Sequence, residues 1–443
     1  MKVAMLADVH ANLPALKAVL ADIDARGADA VWNVGDFVGY GAHPDEVVAL
    51  LARRADVSIM GNYDRKVLSY PDKKDKWLSS KNPEKLYAFR YAWEHLSEDS
   101  RRYLASLPAE ARLTAEGRSV LLVHGSPESE DEPLTDDTAE SRLAKLAAGC
   151  DADVVVCGHS HRTMCREVGG VVFVGVGSVG RAEGGDRRAC YATMEIDEAG
   201  RIEVEHHRVA YDVDEAAEAI RASDQPEAFA RMVLTGQGYD EARRAEARRQ
   251  EVAAAATALA ERCGYDRPHT EHVTRLALAL LDKLAAQHGL GEPQRLLLSC
   301  AGLLHDIGWC EGAAAHHKTA MRLILADRTV PLDERERAVV ACVARYHRKA
   351  APRASHECFA DLGDEDRRTV RLLAGILRVA DGLDYTHRQA VREVGVEVLP
   401  GRVEIVCRAE GDAGGELASA AKKADVLEQA LGRAVCLRVE AAR

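Results

Sequence analysis

Two rhythms of hydrophobic and polar positions divide the 443-residue chain. From residue 1 to about 210, short β-branched runs alternate with helical stretches. The runs at 2–7, 30–34, 57–60, 119–123, 154–157, 171–174 and 191–196 read as strands. Nearly every run is followed by a Gly, Asp, Asn or His cluster, the pattern of an α/β layered domain with its chemistry on the loops after the strands. From about 213 to 392 the rhythm is helical, with apolar residues spaced by three and four, as in Val273, Leu276, Ala277, Leu280, Leu281 and Leu284. After Gln389, segments 393–398 and 403–407 read as a hairpin around Pro400-Gly401, followed by a helix near 415–431 and a strand near 435–439. The charge-dense stretch 241–249 reads as a solvated helix face. The expected fold class is multi-domain. It comprises an α/β sandwich with a helical cap over 1–238 (213–238 a helical extension), an all-α domain over 239–391 and a small α+β tail over 392–443.

Composition narrows the class of protein. A mass of 48.1 kDa suits two or three domains, and 47% apolar with 29% charged residues excludes a disordered chain. The formal charge of −12 argues against wrapping nucleic acid or docking on anionic membrane, except where basic residues cluster. No run of 18 apolar residues is present, so no membrane partner is expected. The first residues do not read as a signal peptide, and the 11 cysteines are scattered without a C-x-x-C pair. The expected compartment is the reducing cytoplasm.

Five short motifs end the strands of the first half: Asp8-x-His10, Gly35-Asp36, Gly61-Asn62-x-Asp64, His124-Gly125 and Gly158-His159-x-His161. Divalent cations are held by carboxylate oxygen and imidazole nitrogen, and a pair of cations about 3.5–4 Å apart needs a bridging ligand. With the segment Gly35-Asp36-Phe37-Val38-Gly39-Tyr40-Gly41-Ala42-His43-Pro44, these motifs give residues 1–235 a resemblance to the calcineurin-like metallophosphoesterase superfamily, in particular its small prokaryotic phosphoesterases. The resemblance implies that Asp8, His10 and His161 hold one metal and Asn62, His124 and His159 the other, with Asp36 between them. Mn, Fe, Ni or Zn would suit such a site. Water activated by the cations would attack phosphorus in line.

One position departs from the family pattern. Where relatives carry a proton-donating His held by the following Asp, this chain has Tyr63 before Asp64. Asn62, Tyr63 and Asp64 are the candidate catalytic segment, and Arg162 is a candidate substrate contact. A phenol with a pKa near 10 is a reluctant acid, so diesters or substrates with a phosphate or nucleotide leaving group are expected to be preferred. Residues 63–103 also hold eight aromatic residues and six lysines. Those rings either form the core of the helical cap or stack on a base beside a phosphate.

The helical half has its own constellation: Pro268-His269, His305-Asp306, His347 and Asp381, each continuing an apolar stripe. A polar group on a core-facing stripe must be paired, bonded or metal-bound. Residues from about 245 resemble the HD superfamily of metal-dependent phosphohydrolases. Through His316-His317-Lys318, Arg345-Tyr346-His347-Arg348-Lys349 and the α+β tail, they resemble the C-terminal domain of exopolyphosphatase/guanosine pentaphosphatase proteins. The resemblance implies that His269 (with His272 its rival), His305, Asp306 and Asp381 hold a divalent metal, the first of one or two in this site. His317 and His347 would serve a second metal or the phosphate, with Lys318 and Arg348 as anion contacts.

These likenesses together imply a bifunctional cytoplasmic hydrolase with a phosphodiesterase/phosphatase site and an HD-type site. The expected substrate is a small phosphorylated molecule, nucleotide-like, with short RNA or DNA ends a further candidate; oligomerisation is left open. The alternative is a phosphoesterase regulated by an HD domain that binds a nucleotide or polyphosphate signal.

Overall fold

In β1, Lys2–Leu6, successive side chains enter different cores. Val3 and Met5 join a cluster with Val120, Leu122, Val154 and Val156, whereas Ala4 and Leu6 pack with Leu16, Val19 and Leu20 of the helix Leu13–Arg26. The period of two along a strand makes this division, and it builds a sandwich of two sheets with helices outside. The computed structural model describes residues 1–440, which separate into a unit Met1–Glu246 and a unit that begins at Ala247.

The strands of the first unit after β1 are β2 (Ala30–Asn33), β3 (Val57–Ser58), β4 (Glu110–Ala115), β5 (Arg118–Val123), β6 (Val154–Cys157), β7 (Thr163–Val168), β8 (Val171–Val176), β9 (Ala189–Ile196) and β10 (Ile202–Val209). They form two five-stranded sheets ordered β10-β9-β1-β2-β3 and β4-β5-β6-β8-β7. β1, β2 and β3 run parallel, as do β5, β6 and β8, so their carboxyl ends gather at one edge of each sheet. Sequence periodicity overlooks β4, β7 and β10, and all of these lie at sheet edges. Edge strands such as β10, Ile-Glu-Val-Glu-His-His-Arg-Val, carry charges at alternate positions, whereas the buried parallel strands read as continuous apolar runs.

The second unit has a helical part and a sheet. Its principal helices are α1 (Arg267–Lys283), α2 (Glu292–Leu304), α3 (His316–Ala326), α4 (Glu334–Arg345) and α5 (Asp364–Gly382). The antiparallel pair β11 (Val391–Leu399) and β12 (Arg402–Ala409) is joined by β13 (Ala434–Val439), parallel to β12. Between β12 and β13 the helix expected near 415–431 is two helices, α6 (Gly414–Lys423) and α7 (Asp425–Leu431). At the break, Arg378 Nε donates to the Lys423 carbonyl at 3.3 Å. The segment after residue 391 shares one core with the helices: Val403, Ile405 and Leu427 cluster with Leu276, Leu280 and Leu373.

Candidate functional site: two clusters of histidine and carboxylate

The first cluster stands where the parallel strands of both sheets end. Asp8 and His10 follow β1, Asp36 follows β2, Asn62 follows β3, His124 follows β5, and His159 and His161 follow β6. The backbone there is unusual: Asp8, His10, Asp36, His159 and His161 all have φ between 47° and 63°. Left-handed backbone at residues bearing a Cβ costs roughly 1–2 kcal/mol each and persists where the surroundings impose it. Here it turns each side chain inward immediately after a buried strand. Gly61 is required by close approach, because a Cβ there would lie 2.1 Å from Asp36 Oδ1.

Asp36 lies between two groups of donors. Its Oδ2 is 3.7 Å from His10 Nε2 and 3.4 Å from His124 Nε2, while Oδ1 accepts the Tyr63 N–H at 2.7 Å. Asp8 Oδ1 stands 3.5 Å from His161 Nε2 and 3.9 Å from His10 Nε2, and the two imidazole Nε2 atoms are 3.2 Å apart. Donors sharing a cation through bonds of about 2.1 Å are separated by roughly 3–4 Å, so these spacings suit such an ion.

Two of the histidine rings are oriented by their other nitrogen. His10 Nδ1 faces the Val38 carbonyl at 3.2 Å and His124 Nδ1 the Val34 carbonyl at 2.9 Å, which directs each Nε2 into the cluster. Asp8 Oδ1, Asn62 Oδ1 and His124 Nε2 are buried without a hydrogen-bond partner. Buried polar atoms are rarely orphaned, and such atoms converging with carboxylates fit a divalent cation.

Charge and burial compete in this cluster. Burial disfavours protonated His124, but Asp36 outweighs it and raises the pKa to about 10. His10, for which burial dominates, is pushed down to about 3.

Other candidates of this half sit at its margin. His159 packs edge-on against His124, with its Nε2 at 3.1 Å from the Asp131 carbonyl. Asn62 Nδ2 donates to Asp131 Oδ1 at 2.6 Å, leaving Oδ1 for the cluster. Asp64 is fully buried, and its carboxylate accepts from the backbone N–H groups of Asp36, Phe37, Val38 and Gly61. It braces the Asp36 loop, and nothing places it against a reacting group. Tyr63 is bound through its hydroxyl to that of Tyr40, and burial pushes its pKa well above the ordinary value. Arg162 is exposed.

Sequence reasoning missed Arg181. Its guanidinium lies 4.6 Å over the Tyr40 ring and donates to Glu183 Oε1 at 2.9 Å, while its Nε has no partner. Glu183 in turn faces His161 Nδ1 at 3.5 Å. In the cap, Trp77, Leu86 and Phe89 share the domain core, so these rings serve packing. Lys66, Lys73, Lys81 and Lys85 lie 4.8–5.8 Å from aromatic ring centres around it.

The second cluster gathers side chains from α1, the end of α2, α3, the end of α4, and α5. Asp306 is its centre: Oδ2 faces His305 Nε2 at 3.7 Å and His269 Nε2 at 4.0 Å, and Oδ1 faces His316 Nε2 at 3.3 Å and His347 Nε2 at 3.4 Å. Asp381 Oδ1 lies 3.5 Å from His269 Nε2. Again Nδ1 is occupied: by the Gly302 carbonyl for His305 and the Ala344 carbonyl for His347, both at 2.7 Å, and by Asp384 Oδ2 for His269 at 2.8 Å. His269 Nε2, His305 Nε2 and Asp306 Oδ1 are buried and unpartnered. The donors fall into two sets, His269, His305 and Asp381, and Asp306, His316 and His347, with the second Asp306 oxygen turned toward the first set, which fits one or two divalent cations.

Here the structure corrects one residue assignment. His317 is half-exposed and outside the cluster, and its neighbour His316 occupies the expected place. Consecutive helical residues point about 100° apart, so only one of the pair can face Asp306. Lys318 is exposed, whereas Arg348 Nη1 comes within 3.1 Å of His316 Nε2. His272 is turned from the cluster and receives a hydrogen bond from Arg275 Nη2 at 3.1 Å. Asp384 and Lys423, whose Nζ lies 2.5 Å from Asp381 Oδ2, carry no local sequence signal.

Both halves of the chain are similar to known proteins. Residues 1–199 match the calcineurin-like phosphoesterase superfamily domain, and residues 252–402 match domain III of Ppx/GppA phosphatase. An uncharacterized protein of Methanocaldococcus jannaschii is 28% identical over 251 residues, covering 53% of this chain and 98% of its own. Among solved structures, a metallophosphoesterase from Sphaerobacter thermophilus is 29% identical with a TM-score of 0.44, over 53% of this chain and 99% of that one. A hypothetical protein from Pyrococcus horikoshii is 22% identical with a TM-score of 0.49, over 54% and 99%. Among the described residues, no helix is long and apolar enough to cross a membrane. The chain thus joins a calcineurin-like phosphoesterase domain to a Ppx/GppA phosphatase domain III, and it is a metal-dependent phosphoric ester hydrolase.

Proposed function

We propose that the chain carries two hydrolytic sites for phosphate esters, one in each unit, and that its substrates are nucleotide-like. In the first, Asp8, His10 and His161 hold one cation, Asn62, His124 and His159 a second, and Asp36 lies between them. In the second, His269, His305 and Asp381 form one set and His316 and His347 another, with Asp306 shared. The observation that carries this reading is the convergence of the Nε2 atoms of His10, His124, His269, His305 and His347, each turned inward by a contact at Nδ1, on buried carboxylate oxygens. When bound, such cations lower the pKa of water and stabilise charge on a phosphoryl group.

The protein's own groups add to this. Arg181, beside His10 and His161, is a guanidinium available to a phosphoryl oxygen. The lysines ringing the cap support an anionic substrate with more than one phosphate: Lys66 reaches Asp131, which in turn holds Asn62. Tyr63, bonded to Tyr40 and resistant to ionisation, supports a preference for leaving groups that need no proton.

A screen of phosphomonoesters, diesters, cyclic nucleotides and nucleoside polyphosphates with Mn(II), comparing the chain with Asp36→Ala and Asp306→Ala, tests the reading. Each variant is expected to lose one separable activity. If Asp306→Ala removes no activity and instead changes regulation of the first, the second unit is a sensor.

A further inference from the structure

We propose that Lys423, delivered by the tail, is a substrate-phosphate contact of the second cluster; this rests on reading that cluster as a hydrolytic cation site. Its ammonium enters from a segment distant in sequence, 42 residues beyond Asp381. Asp381 divides its oxygens: Oδ1 faces His269 Nε2 at 3.5 Å, and Oδ2 accepts from Lys423 Nζ at 2.5 Å. The ammonium has three donors and this contact uses one, leaving two for a ligand at the rim, where the side chain is 24% exposed.

The lysine is not a free surface side chain that happens to lie nearby. Helix α6 presses on α5 next to Asp381 so closely that a Cβ on Gly382 would lie 2.5 Å from Ala420 Cα. Arg378, 4% exposed, fastens the end of α6. It donates to the Lys423 carbonyl and, at 3.0 Å, to Asp425 Oδ1. Its Nη1 also donates at 3.2 Å to the carbonyls of Tyr346 and Lys349, on either side of His347. One buried guanidinium therefore ties the backbone of Lys423 to the turn that presents His347.

A positive group held this close to cation ligands has an electrostatic consequence. Beside bound divalent cations the ammonium adds repulsion that Asp381 only partly offsets, and an arriving phosphate relieves it. The tail thereby supplies an anion contact in addition to Arg348, which lies near the cluster, whereas Lys318 is exposed.

Binding of inorganic phosphate to the Mn(II)-loaded full chain tests this by calorimetry, in an Asp36→Ala background that silences the first cluster. Lys423→Met is expected to weaken phosphate about 10-fold or more, as loss of a charge-assisted hydrogen bond does, with Mn(II) stoichiometry unchanged and partial recovery in Lys423→Arg. Phosphate affinity within about 2-fold of the parent in both Lys423→Met and Lys423→Gln overturns the inference. Loss of Mn(II) together with phosphate also overturns it, since Lys423 then acts only by positioning Asp381. If Asp306→Ala in the same background binds as much Mn(II) as its parent, the cation site itself is absent and the inference falls with it.

Discussion

Asp36 places one carboxylate oxygen 3.4 Å from His124 Nε2 while its other oxygen is held by the Tyr63 N–H. The same Oδ2 faces His10, so this one atom joins donors from strands of both sheets. Asp36→Asn keeps the shape and removes the charge. It is expected to reduce metal content of the first unit and to lower diester turnover at least about 100-fold, beyond the 10–100-fold typical of an outer-sphere partner. Metal analysis of the purified variant alongside kinetics checks this.

Protons and cations compete for the same nitrogens. In the metal-free protein His124 has a pKa raised to about 10, held up by Asp36 against burial, and His269 is raised to about 9, held up by Asp381 and Asp384 against burial. Both exceed the unfolded value near 6.5, so their contribution to stability is complete below about pH 6.5 and is lost as pH rises through 9 to 10. The metal-free melting temperature is therefore expected to fall over that window. Metal binding near pH 7.5 should release about one to two protons, seen as a buffer-dependent calorimetric enthalpy.

Asp384 lies outside both donor sets but accepts from His269 Nδ1 at 2.8 Å and also from the Gln389 N–H at 2.7 Å. Asp384→Asn should weaken metal binding in the second unit about 10–100-fold while leaving the first unit unchanged. Titration with Mn(II) monitored by calorimetry separates the two.

Tyr63 offers a prediction in both directions. Tyr63→Phe should alter turnover of diesters with good leaving groups by less than about 2-fold, because the phenol is not a proton donor at neutral pH. Tyr63→His should raise turnover of monoesters with poor leaving groups by about 10-fold, below the full general-acid gain because the Asp64 carboxylate that would orient the imidazole is engaged by backbone N–H groups. Dependence of rate on leaving-group pKa is the measurement.

Arg181→Met removes a guanidinium that Glu183 only partly satisfies. KM for phosphate esters is expected to rise about 10-fold with a smaller change in kcat, as for loss of one charge-assisted contact. Arg181→Lys should recover only part, since a point charge cannot replace the planar fork.

The linear sequence determined a good deal of this architecture. Strands with parallel neighbours inside the sheets are continuous apolar runs, and the chemical residues follow them within one to four positions, so both are visible in any short window. The same holds for the helical half, where polar side chains interrupt apolar stripes at His269, His305 and Asp381. Edge strands such as β10 were not visible, because their alternating charges resemble those of a loop or an exposed helix face.

The tertiary structure decided what depends on orientation and on distant packing. Whether His316 or His317 meets Asp306 is a matter of helical phase, fixed by how α3 docks and not by the two adjacent letters. The left-handed backbone at Asp8, His10 and Asp36 is tolerated only because the surrounding strands hold it. Asp384 and Lys423 acquire their partners across 115 and 42 residues, and Arg181 lies over the Tyr40 ring of a distant loop; no local pattern encodes such pairings. Local letters specify secondary structure and donor chemistry; only close packing of the whole unit sets which atoms face one another.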